Sequence, residues 1–157
     1  YYIAIKDLLR FNLIIKLKQK FKHQLVVVGN NWKPHIKSSL KSNYNSKYIS
    51  SLYNGNICLD FGSKWGSNSL YPRSVDILES GGLLLQSAQS DSREIYDKNY
   101  KNISFNNLSE ISTRIKTLLK NSSKIKKLYA DQSELFNSVN SNYNTLKKIH
   151  LISKKNN

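Results

Sequence analysis

Arg73, Asp76 and the pair Gly81–Gly82 are the residues whose types and spacing best suit chemistry. A carboxylate such as Asp76 accepts hydrogen bonds from ribose or sugar hydroxyls, and an arginine pairs with phosphate. Helix N-termini and exposed loop amides can hold a diphosphate. Pro72 suits the first turn of a helix, where its missing N–H would be unpaired anyway. Val75 and Leu78, three apart, seat one face of that helix. Gly81 and Gly82 end it, since glycine adopts left-handed angles at little cost. A plainer alternative makes Arg73 and Asp76 a surface pair at i,i+3, with Glu79 on a solvated face.

Other chemistries lack their residues. His23, His35 and His150 are far apart and show no ligand spacing, so no metal site is expected. There is no Gly-x-Ser-x-Gly nucleophile elbow and no Gly-x-x-x-x-Gly-Lys phosphate loop. The aromatic residues are scattered, so no nucleic-acid partner is expected. Cys58 sits in an apolar run and reads as a small core residue rather than a nucleophile. As the only cysteine it forms no intramolecular disulfide, which fits a reducing compartment.

The elements that must position Arg73 and Asp76 follow from hydrophobic spacing. Residues 3–21 read as a basic amphipathic helix on Ile5, Leu8, Leu9, Leu13 and Leu17. That helix packs on a sheet or, alternatively, lies on a membrane surface. Gln24–Val28 reads as a strand leaving through Gly29 into a polar loop. Residues 37–47 read as an exposed loop, Tyr48–Tyr53 as a short helix, and Asn54–Gly55 as a turn. Ile57–Phe61 is a second strand, and Gly62–Ser69 a polar exit loop. Leu83–Leu85 is a strand covered on both faces. Gln86–Ser92 is a loop, Arg93–Tyr96 one helical turn, and Asn102–Phe105 a short strand. Asn107 caps a helix with Glu110 three residues on, as in a capping box. Leu108, Ile111, Ile115, Leu118 and Leu119 mark that helix, which ends near Asn121. A helical pattern continues from Ile125 to Ile149, and Lys154–Asn157 is a frayed tail. Four alternations of strand and helix predict an α/β domain with a parallel sheet and helices on both faces.

The chain has 157 residues, enough for one domain with a core. Residues 1–157 form that domain, with 122–157 as its helical extension. There is no methionine, even at position 1, so a fragment is expected. Lys and Arg number 25 against 10 Asp and Glu, a formal charge of +15. That charge attracts phosphate, nucleic acid or an anionic membrane surface. A coding preference that enriches Lys, Asn, Ile and Tyr explains it equally well. No apolar run is long enough to span a bilayer.

The order of residues from Arg73 to Leu85 resembles the signature R-x-x-E-x-x-x-x-G-G-x-L-L of group 1 glycosyltransferases, especially the spore-maturation-protein-like branch. Leu25 to Trp32 resembles that family's strand ending in Gly and Trp. Glu94–Tyr96, Ile103–Phe105 and Leu108–Leu119 resemble its turn, short strand and long helix, and Asn144–Leu146 its last helix. The resemblance spans roughly residues 5–150. It implies the Rossmann-like C-terminal half of a bacterial GT-B fold. That half binds a nucleotide-sugar donor and needs no metal or other cofactor. Asp76 stands at the family's second glutamate, which contacts the ribose. Asn68 stands where the first glutamate would be. Ser67, Asn68 and Ser69 would line the sugar and diphosphate side. Gly81 and Gly82 would let backbone approach the nucleotide, Gly29 would open a donor loop, and Arg73 would lie near the donor. Catalytic residues would come from an N-terminal domain. The acceptor would be a cell-surface sugar or polysaccharide, and the setting cytoplasmic, with peripheral contact at the inner face of the membrane. The rival expectation is a degenerate, non-catalytic α/β module that binds a protein partner or an anionic surface.

Overall fold

The computed structural model describes residues 2–43, 45–62, 72–96, 100–134 and 136–137. Its centre is a small parallel sheet of β1 (Ile57–Asp60), β2 (Leu83–Ser87) and β3 (Ser104–Phe105), in that spatial order. Ile57 pairs with Leu83 and Asp60 with Gln86, while Gln86 pairs on its other side with Ser104. Leu83, Leu84, Leu85 and Gln86 are all buried, so the central strand is covered on both faces. The helices are α1 (Tyr2–Phe21), α2 (Ser46–Tyr53), α3 (Pro72–Glu79), α4 (Ser90–Tyr96), α5 (Tyr100–Ile103) and α6 (Leu108–Leu119). Residues 122–134 form α7. One buried apolar cluster runs from Leu17 and Phe21 through β1, β2 and β3 to Ile111, Ile115 and Leu128.

Local chemistry sets several element ends. Asn45 caps α2 by accepting from the N–H groups of Lys47 and Tyr48. Asn107 caps α6 by accepting from Glu110 N–H. The reciprocal bond of the capping box is displaced by one residue, because Glu110 Oε2 accepts from Asn106 N–H. Asn121 ends α6 and caps α7, accepting from Lys124 N–H at 3.1 Å. Lys18 Nζ donates to the carbonyls of Lys22 and Leu25 at 2.7 and 2.6 Å, satisfying acceptors past the end of α1.

The expected first strand, Gln24–Val28, does not form. Lys22–Gln24 is a 3-10 turn, and among the described residues the segment beyond it makes a single parallel bridge, from Val28 to Leu40. Val26 is 57 % exposed and Val27 buried, so only alternate side chains turn inward. Stacking draws this segment onto α1 instead. The Trp32 ring lies parallel to Phe11 with centroids 5.5 Å apart, and His35 meets Phe11 edge-on at 4.7 Å. The sheet therefore has three described strands where four alternations were expected. The loop expected at 37–47 also carries structure, since Ser39 is buried and α2 begins at Ser46. The loop expected at Gln86–Ser92 shrinks to Ala88 and Gln89, between β2 and α4.

Candidate functional site

In a parallel sheet the strands end together, and the loops leaving that edge converge. Here the edge is polar. Asp60, Gln86 and Ser104 stand side by side across β1, β2 and β3, at 1 %, 1 % and 5 % exposure. A buried carboxylate needs partners. Ser74, in the first turn of α3, donates its hydroxyl to Asp60 Oδ2 at 2.6 Å. Gly62 N–H donates to Oδ1 at 3.1 Å. Arg73 brings Nη1 to 3.9 Å from Oδ1 while its side chain stays 44 % exposed, so a cation stands at the rim over a buried anion.

Gln86 is only half committed. Its Oε1 lies 3.4 Å from Ser74 Oγ, whose single O–H donates to Asp60, and its Nε2 is buried without an acceptor. Turned over, the amide would donate to Ser74 Oγ instead. Gly62 has φ 71°, and an added Cβ there would collide with the Gln89 side chain. Tyr96 is buried nearby. Burial pushes its phenol up, and the Asp60 charge adds to the rise. Ser92 Oγ, on the same helix, is buried with no partner.

The sequence-derived site residues divide. Arg73 lies at this edge. Asp76 is exposed one turn along α3, and its charge reaches the half-buried Tyr53. Burial raises the Tyr53 phenol and the Arg73 charge opposes that rise. Gly81 and Gly82 lie beyond the far end of α3, after about 9 Å of helix from Arg73 to Glu79, where the chain turns into the start of β2. There Gly55 N–H donates to Gly81 O, and a Cβ on Gly82 would sit 3.0 Å from the carbonyl oxygens of Ile77 and Tyr53. The glycine pair is thus a close-packed turn, not a neighbour of Arg73. Gly29, at φ 154°, faces the Trp32 ring and donates to Leu40 O. Ser67, Asn68 and Ser69 lie outside the described residues.

Asp60, Ser74 and Gln86 escaped the sequence reading. Their signal was available. Asp60 and Gln86 each end an otherwise apolar run, which is where a parallel strand delivers its last side chain to the ligand edge.

No group of three or more metal-ligating side chains occurs among the described residues. None of the described helices is long and apolar enough to cross a membrane. Burial pushes the Cys58 thiol up to about 12. In comparison with known proteins, the chain matches no family model, no curated protein and no solved structure.

Proposed function

We propose that the carboxyl edge of the sheet binds a nucleoside diphosphate sugar, and that the chain is the Rossmann-like donor-binding half of a glycosyltransferase. The observation that carries this is Arg73 at the rim over buried Asp60, at the end of adjacent parallel strands. A diphosphate would meet the Arg73 guanidinium. Asp76, one turn along, would accept from the ribose hydroxyls. The resemblance from Arg73 to Leu85 supports the same assignment. In this reading the glycine pair serves the fold alone, and a second domain supplies the acceptor site and the catalytic groups. The acceptor is a cell-surface sugar or polysaccharide, and transfer takes place in the cytoplasm without a bound metal.

Thermal unfolding of the full chain with uridine, guanosine and cytidine diphosphates tests this. A ligand at about 100 times its dissociation constant stabilises by about 2.7 kcal/mol. One nucleotide should raise the midpoint, and Arg73→Ala and Asp76→Ala should each reduce the shift. No shift with any of the three nucleotides would overturn the proposal. The +15 charge favours a second reading, a non-catalytic module on an anionic surface. Salt-sensitive binding to anionic vesicles, with no response to nucleotides, would establish that reading instead.

A further inference from the structure

A cleft of about 580 Å3 opens between α5, α6 and α7, and none of the carboxyl-edge residues lines it. Its walls carry Lys101, Arg114, Lys124 and Lys127 against Glu110 and Asp131, an excess of cations. Glu110 is already committed. Its Oε2 accepts from the backbone and side-chain N–H groups of Asn106, and its Oε1 accepts from Arg114 Nη2 at 3.1 Å. Arg114 is held tightly, with its side chain 19 % exposed. Its Nη1 is buried and has no acceptor. Burial lowers the Arg114 pKa, and the Glu110 charge offsets part of that effect. A guanidinium keeps its proton near neutral pH, so the unmet donor persists until an acceptor arrives.

The lining also specifies the kind of acceptor. Lys124 and Lys127 lie three apart on α7 and face the same space as Arg114. With Arg114 and Glu110 neutralising each other, Lys101, Lys124 and Lys127 stand against Asp131 alone, and that surplus of two positive charges matches the double charge of a phosphate ester. Buried Leu118 and Leu128 form an apolar wall beside them. We infer that this cleft binds a small phosphorylated organic molecule, with its phosphate on Arg114, Lys124 and Lys127 and its carbon frame against Leu118 and Leu128.

Calorimetric titration of the full chain with phenyl phosphate and with inorganic phosphate, at low ionic strength, tests the inference. Phenyl phosphate should bind saturably at one site and more tightly than inorganic phosphate. The double variant Lys124→Gln/Lys127→Gln changes only exposed positions and should weaken binding about tenfold or more, as should Arg114→Gln. Arg73→Ala should leave this binding unchanged. Four results would overturn the inference: no saturable binding, equal affinity for the two phosphates, indifference to the lysine substitutions, or loss on Arg73→Ala.

Discussion

The two edges of the small sheet are built from the same strands and the same helix, yet they differ in how their polar groups are spent. At the amino edge the hydrogen bonds close on themselves. Gly55 donates to Gly81 O, Gly82 to Ile77 O, and Leu83 to Asn56 O. Just above, Gln132 from α7 places its amide against Leu84, accepting from its N–H and donating to its C=O, both at 2.8 Å. β3 pairs only with Gln86 and Ser87, so this side chain stands in for the strand residue that Leu84 lacks. At the carboxyl edge Gln86 Nε2 and, on α4, Ser92 Oγ have no partner among the described residues. A closed edge holds a fold together, and an open one has capacity left for a ligand.

The largest expected effect lies at the closed side. Gln132→Leu keeps the bulk but leaves a buried N–H and C=O unpaired, and should cost about 2–4 kcal/mol in urea unfolding. A loss below about 1 kcal/mol would mean that Leu84 finds other partners. At the open side, Asp60→Ala removes the acceptor of Ser74 and Gly62. It should cost about 2 kcal/mol and also abolish any nucleotide-dependent shift. Retained nucleotide response in a folded Asp60→Ala chain would break the distinction between the edges.

Midway along β1, Cys58 adds a pH effect. Its thiol rises from 9.0 to about 12 on burial. Its contribution is therefore complete below about pH 9, where the thiol stays protonated in both states. It is lost as pH rises from 9.0 toward about 12, because only the unfolded chain then ionises. The raised phenols of Tyr53 and Tyr96 act in the same direction above their ordinary value. Denaturation midpoints measured across this range should fall, and a flat profile would contradict the burial of Cys58. The smallest stability effect belongs to Arg73→Ala. Its ion pair with Asp60 is long and half exposed, and losing that pair should cost below about 1 kcal/mol. Its effect on nucleotide binding should be much larger.

The strands and helices nearest the site were legible because their patterns are local. Leu83–Leu85 is a short apolar run between a glycine pair and a polar residue, and the structure makes it the central strand. Asn107 and Glu110 announced the start of α6. The misplaced strand at Gln24–Val28 fails for a reason that lies elsewhere in the chain. Its fate depends on Phe11, which precedes Gln24 by 13 residues and stacks with Trp32. The site was only partly legible. Arg73 stood out by its setting before a glycine pair, but its partner Asp60 is reached across 13 residues and lay inside the strand expected at Ile57–Phe61. Gln86 becomes meaningful only once the register sets it between Asp60 and Ser104. Gly81 and Gly82 were read with Arg73 because they are close in sequence. The helix between them carries them to opposite edges.

The most direct test follows backbone amide signals while uridine, guanosine and cytidine diphosphates are titrated into the labelled chain. With the nucleotide that binds, the signals of Gly62, Arg73, Ser74, Gln86 and Ser104 should move together and saturate. Those of Gly55, Gly81 and Leu84 should stay in place. Movement centred on Gly55 and Gly81, or no saturable movement with any nucleotide, would contradict a ligand site at the carboxyl edge.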